Sequence, residues 1–147
     1  ETDKGLRLAY KTVVAGKDTI QILPDIISKS LADLPIPKRM RWGSSRAEFV
    51  RPVHWLVMLF GSAIVDCDIL GVKAGRTTRG HRFHYNKTID ITKPEDYQTA
   101  LREPGFVVAD FSARKAQIEQ LVNAQAKTVN GTAIIDAALL DEVTSLV

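Results

Sequence analysis

The spacing of apolar and polar positions changes several times along the chain, and each change marks an element. Leu6, Leu8, Tyr10, Thr12 and Val14 alternate with Arg7, Ala9, Lys11 and Val13, the period of a half-buried strand. Gly16-Lys17-Asp18 turns the chain. Ile20, Leu23, Ile27, Leu31 and Leu34 then recur every three or four residues, the face of an amphipathic helix. Pro24 inside that pattern either starts the helix or bends its first turns, and Pro35 and Pro37 end it in an extended stretch. Residues 53–60 show no alternation, which predicts a strand covered on both faces. Gly61-Ser62 is a tight turn into 63–70, making a hairpin. Along its second arm Ala63, Val65, Cys67 and Ile69 face one way, and Asp66 and Asp68 face the other.

Glycines at 71, 75 and 80 predict a loop over 71–80, followed by a short strand over 88–91. Thr92 with Glu95 three residues on forms the pattern of a capping box for a helix that Pro104-Gly105 stops. Residues 106–109 read as a short apolar strand. Asp110 caps a longer helix with Ile118, Leu121, Val122 and Val129 on one side, stopped by Asn130-Gly131. Leu139, Leu140, Val143, Leu146 and Val147 outline a last helix. The fold class is therefore α+β, a mixed sheet containing an antiparallel hairpin and packed with several helices. Residues 1–147 are expected to form a single module, with 110–147 as a possible small helical appendage. A start at Glu1 and a helical pattern running to Val147 suggest a piece excised from a longer subunit.

Length and composition change this picture little. A chain of 147 residues with 45% apolar and 25% charged residues can bury a core without a metal or disulfide. No run reaches the roughly 20 apolar residues of a membrane span, so no membrane association is expected. The single cysteine, Cys67, excludes an internal disulfide and favours a reducing, cytoplasmic setting.

Charge changes it more. Between Lys38 and His84 lie nine basic and three acidic residues, a local +6 in a chain whose net charge is +3. A concentrated positive field of this kind attracts phosphate. The candidate chemistry is sparse elsewhere. Gly71-Val72-Lys73-Ala74-Gly75-Arg76-Thr77-Thr78 resembles a phosphate loop, but has three residues between its glycines and an arginine where lysine is required. His54 lies in an apolar run and reads as a core residue. His81 and His84 have no nearby cysteine and sit among cations, which disfavours zinc. Asp66 and Asp68 read as a solvated strand face. What remains is two basic, aromatic stretches, Lys38-Arg39-Met40-Arg41-Trp42 and Arg76-Thr77-Thr78-Arg79-Gly80-His81-Arg82-Phe83. Guanidinium forks bind phosphate, and aromatic planes stack on unpaired bases. The same arginines could instead cap carbonyls and pair with carboxylates within the fold.

Three stretches in order carry a resemblance: Pro35-Ile36-Pro37-Lys38-Arg39-Met40-Arg41-Trp42-Gly43, Phe49-Val50-Arg51-Pro52-Val53-His54, and Arg79-Gly80-His81-Arg82-Phe83. With Leu140-Asp141-Glu142-Val143 and Ser145-Leu146-Val147 flanking, the chain resembles the beta subunit of the bacterial heterotetrameric glycyl-tRNA synthetase. The resemblance implies an assembly that ligates glycine to tRNA(Gly) with ATP. It also implies that ATP, magnesium and glycine are held by the alpha subunit, so this segment should be catalytically inactive. Its partners would be the alpha subunit, tRNA(Gly) and the remainder of the beta subunit. On this reading Lys38, Arg39, Arg41, Arg76, Arg79, His81 and Arg82 are the expected RNA-contacting residues, and no residue here is catalytic or binds metal. A module that docks the alpha subunit or other beta-subunit domains without touching RNA is the competing expectation.

Overall fold

The structure, a computed structural model, describes residues 10–147. The chain divides into two compact units at the boundary between Pro35 and Ile36. In the first, the expected strand is not formed over its described part. Residues 10–18 have no regular structure, and Tyr10, Val13 and Val14 are 84–91% exposed. Alternation alone does not make a strand: the backbone needs a ladder partner, and none pairs with it among the described residues. Leu6 and Leu8 lie outside those residues. Helix α1 spans Thr19–Asp33 and begins before Pro24 rather than at it. The proline ring cannot supply the bond to the Ile20 carbonyl one turn back. Lys29 and Asp33 pair at 2.8 Å near the helix end.

The second unit holds the sheets. Strands β1 (Met40–Arg41) and β2 (Glu48–Phe49) pair antiparallel, with Arg41 opposite Glu48. Strands β3 (Leu56–Val57) and β4 (Leu59–Phe60) flank Met58, and β5 (Ala63–Ile64) pairs back on β4 through Gly61-Ser62, the hairpin expected. Gly61 sits at φ +58°, where a side chain is strained and glycine is not. Strand β6 (Asp68–Ile69) pairs antiparallel with β7 (Val72–Gly75), and β7 pairs parallel with β3. Their Leu70-Gly71 turn has both residues at positive φ, 55° and 76°, as a two-residue hairpin demands. Leucine adopts this at a cost of roughly 1–2 kcal/mol.

Two expectations fail in this region, for one reason. Residues 53–60 are not one strand covered on both faces: His54, Trp55 and Phe60 are exposed. Nor are residues 71–80 a loop, because they form β7 and then β8 (Thr77–Arg79). The chain changes partner at Met58, whose N–H donates to the Gly75 carbonyl (3.2 Å) and whose carbonyl accepts from Val65 N–H (3.0 Å). The segment is thus bonded to β7 before Met58 and to β5 after it. Val65 is fully buried beside it.

Strand β8 pairs antiparallel with β9 (Thr88–Asp90), the expected short strand. Ile91 N–H continues the ladder to the Arg76 carbonyl. Ile89, Ile91 and Leu101 form a core cluster, flanked by Leu59, Tyr85, Ala100 and Val107. The capping box does not form. One 3₁₀ turn, Pro94–Asp96, leads into α2 (Tyr97–Arg102), and Lys93 at the start provides no side-chain cap. Proline at the first position fixes φ and needs no donor, which removes the requirement. Residues 106–109 are not a strand either. Phe106 is at φ +56° and 61% exposed, and Val107 N–H bonds back to the Leu101 carbonyl. Helix α3 (Phe111–Thr128) is capped as expected, Asp110 Oδ1 accepting from Ala113 N–H at 2.7 Å. Asn130 at φ +54° and Gly131, whose N–H reaches the Ala126 carbonyl, close it. Helix α4 (Ala137–Leu146) packs against α3 and is capped by Asp136 on Leu139 N–H.

Candidate nucleic-acid interface

The two basic stretches fall on two hairpins. Lys38 and Arg39 lead into β1, and Arg41 is within it. Arg41 Nε lies 3.5 Å from Glu48 Oε1, the residue opposite it, and both side chains are at least half exposed. Such a pair is worth under about 1 kcal/mol and leaves the guanidinium open to a second partner. The turn after β1 is fixed by Gly43 at φ +59° and by Ser45 Oγ accepting from Ala47 N–H.

Arg76, Arg79, His81 and Arg82 belong to β8 and the turn after it, and they meet different fates. Arg76 donates from its guanidinium to the Ser62 carbonyl at 3.0 Å, tying β8 to the β4–β5 turn. Arg79 is exposed, and its side chain makes no hydrogen bond or ion pair to any described residue. Arg82 is exposed too, its guanidinium 5.9 Å from the centre of the Phe83 ring. His81 Nδ1 accepts from the N–H groups of Phe83 and His84, each at 3.2 Å. Its neutral ring therefore carries the proton on Nε2, the one donor left for a ligand.

Close backbone approach holds this turn still. His81 N–H donates to the Gly105 carbonyl at 2.7 Å, and Tyr85 N–H to the His81 carbonyl at 2.8 Å. A Cβ on Gly80 would stand 2.7 Å from Tyr85 Cδ1, 2.8 Å from the Tyr85 carbonyl oxygen and 3.0 Å from Gly105 Cα. Only glycine fits there. At the tip, Phe83 is 81% exposed beside the His81 and His84 rings, whose centroids are 4.5 Å apart, and His84 reaches Phe106 at 5.9 Å. The result is an exposed aromatic and cationic knob on a fixed base.

Three other residues proved informative. Trp55, hidden in the sequence within an apolar run, is 45% exposed, and its Nε1–H donates to Thr78 Oγ1 at 3.2 Å. Its position just after His54 and three residues past Pro52 was the signal available. Arg114 donates to the carbonyls of Thr144 (3.0 Å) and Val108 (2.6 Å) and so serves the fold. Cys67 is half-buried. Burial first, and then the carboxylates of Asp68 and Asp66, push its thiol above the ordinary value, which keeps it protonated and a poor nucleophile.

The phosphate-loop resemblance is not realised among the described residues. The glycine-spaced string at 71–78 is two strands rather than a strand, loop and helix, and no three His, Cys, Asp or Glu side chains converge. No helix among them is long and apolar enough to cross a membrane.

Comparison with known proteins agrees with the sequence resemblance. The family model described as glycyl-tRNA synthetase beta subunit matches residues 1–147. The glycine–tRNA ligase beta subunit of Hahella chejuensis (strain KCTC 2396) is 57% identical over 146 residues, 99% of this chain and 21% of that protein. Those of Marinobacter nauticus and Chromohalobacter salexigens are 52% and 50% identical over 147 residues, again 21% of each protein. The chain spans about a fifth of the length of these relatives, and it belongs to the glycyl-tRNA synthetase beta subunit family.

Proposed function

We propose that this segment is a non-catalytic module of a glycine–tRNA ligase beta subunit, and that it positions tRNA(Gly) by contacts to phosphates. Residues 1–147 would act as one part of that longer, cytoplasmic subunit. Activation of glycine with ATP and magnesium would fall to the alpha subunit. The observation that carries this reading is a pair of exposed cations, Arg79 and Arg82, without carboxylate partners among the described residues, on a hairpin that backbone contacts hold fixed. An exposed cation carried on a fixed backbone is suited to a polyanion. Lys38, Arg39 and Arg41 extend the contact, and His81 adds its Nε2–H.

The test is charge reversal of Lys38 and Arg82 in the full-length, assembled ligase. The tRNA(Gly) affinity should fall and its salt dependence flatten by roughly 0.7–0.9 log units per lost phosphate contact. Glycine-dependent pyrophosphate exchange without tRNA should stay unchanged. An unaltered affinity and salt slope in the assembled double variant would defeat the RNA-facing reading.

One observation favours the docking alternative. Helices α3 and α4 leave an apolar groove of about 140 Å³ lined by Ile118, Val122, Ile135, Leu139 and Val143, with Ile134 beside it 99% exposed. Docking through this groove would bury apolar area and depend little on salt. Dissociation of the alpha subunit on Leu139→Asp, with tRNA affinity intact, would support it.

A further inference from the structure

Beside the knob lies a cleft that the reading above does not use. It has a volume of about 580 Å³ and is lined by His54 and Trp55 from the extended segment before β3, by Thr77, Thr78 and Arg79 of β8, and by Thr88 of β9. That volume lies within the roughly 300–1,000 Å³ usual for small-molecule sites.

Its chemistry is specific in kind. Two rings stand side by side, the His54 and Trp55 centroids 6.4 Å apart and their planes tilted by 33°. The indole is held by its bond to Thr78 Oγ1, a residue that is itself buried, so its orientation is set by the sheet. Thr77 is likewise fixed, its hydroxyl donating to Asp90 Oδ1 at 2.6 Å. Two lining groups have no partner among the described residues: the Arg79 guanidinium and the Thr88 hydroxyl, opposite each other across the β8–β9 ladder.

We propose that this cleft binds one unpaired nucleotide of an RNA strand. The base lies against Trp55 and His54, the phosphate meets Arg79, and the Thr88 hydroxyl is within the cleft for the ribose or a base edge. Each part follows from the lining. A partly exposed aromatic held edge-on by a hydrogen bond offers a π-surface without having to be ordered on binding. Arginine supplies a planar fork to a phosphate oxygen pair. A paired base would hide its faces in the helical stack, so the site selects single-stranded or splayed nucleotides. The inference rests on the RNA-facing reading and adds a stacking component to it, which is distinct from phosphate contact because stacking does not release counterions.

That difference makes the two separable. In the full-length assembled ligase, Trp55→Leu should lower affinity for tRNA(Gly) roughly five- to a hundredfold, the range of one lost stacking contact, with the salt slope unchanged. Trp55→Phe, which keeps a ring and loses the bond to Thr78, should restore most of it. Arg79→Gln should flatten the salt slope by about one contact. Independently of any variant, a short unstructured RNA carrying 5-iodouridine, irradiated on the wild-type assembly, should crosslink to the peptide bearing Trp55. Equal affinities for Trp55→Leu and wild type, or crosslinks confined to other peptides, overturn the site. If charge reversal at Lys38 and Arg82 still weakens binding, the RNA-facing reading survives that loss. If it also has no effect, both fall. AMP displacing the RNA at equal concentration would overturn the strand assignment in favour of a mononucleotide site.

Discussion

The β8–β9 hairpin and the α3–α4 pair each place an arginine over a phenylalanine, and the two arginines do different things. Arg82 lies 5.9 Å from the Phe83 ring and Arg114 lies 5.7 Å from the Phe111 ring. In isolation each contact is worth about 0.5–1 kcal/mol at an exposed site. Arg114 goes further and donates to the carbonyls of Thr144 and Val108, which joins the start of α3 to the last turn of α4 and to the segment before α3. The Thr144 carbonyl is one of the four that end a helix without an internal partner, so the guanidinium fills a real vacancy. Beside it Lys115 pairs with Asp141 at 2.5 Å. On the hairpin, the Arg82 and Arg79 side chains make no such bonds among the described residues. The same residue type beside the same kind of ring is a strut in one region and an open contact in the other. What separates them is that Arg114 meets carbonyls at the end of α4 and before α3.

The largest effect expected from this contrast is on stability. Arg114→Met keeps the aliphatic stem over Phe111 but removes two bonds from a charged donor, each worth roughly 1.5–3 kcal/mol. Partial exposure discounts that, and a loss of about 3 kcal/mol is expected in urea unfolding, with tRNA affinity per folded molecule unchanged. The same truncation at Arg82 should stay within about 0.5 kcal/mol. Equal losses at the two positions would break the distinction. Next in size is Gly80→Ala. Its Cβ would collide with backbone at Tyr85 and Gly105, contacts that have no flexible end to yield. Overpacking of this kind costs about 1–3 kcal/mol. Because the turn carries Arg82 and adjoins Arg79, RNA affinity should fall with stability here, unlike at Arg114. A destabilised variant that retained full affinity would detach the knob from RNA binding.

This contrast also marks what the sequence could and could not convey. Elements with a local chemical signal were legible: the Asp110 cap, the Gly61-Ser62 turn, the Asn130-Gly131 stop and the short strand near Ile89 are all where residue type requires them. Elements defined by partners were not. Nothing local announces that residues 72–75 pair on both sides and 77–79 with β9, since Gly71 serves a turn and Gly80 a close approach rather than a loop. The alternation over 6–14 lacks a ladder in its described part, and Thr92 and Glu95 match a cap that Pro94 makes unnecessary. At the candidate interface, charge picked out two stretches that fold as hairpins. It could not say that Arg76 reaches the Ser62 carbonyl, that Arg41 meets Glu48, or that Trp55 opens onto a cleft, because these facts join residues 7 to 23 positions apart.

The smallest effect expected lies in the β-sheet region, at Cys67, and asks whether the sheet leaves a reactive group as well as free cations. Its thiol is held above its ordinary value by burial first and by Asp68 and Asp66 second. The folded state then keeps its proton at pH values where the unfolded chain has begun to release one, so folding is disfavoured as pH rises. The penalty is absent below the unfolded thiol value of about 8.5 and grows above it until the folded thiol also ionises. Partial exposure keeps it slight. Unfolding midpoints measured from pH 7 to 10 should therefore fall a little more steeply for the wild type than for Cys67→Ala. At pH 7.5 iodoacetamide should label Cys67 more slowly than a free thiol, and Asp68→Asn should speed the labelling by removing the nearer-acting charge. Labelling faster than a free thiol in the folded protein would mean that an activating cation reaches Cys67, and the contrast between idle cations at the rim and an inert interior would have to be redrawn.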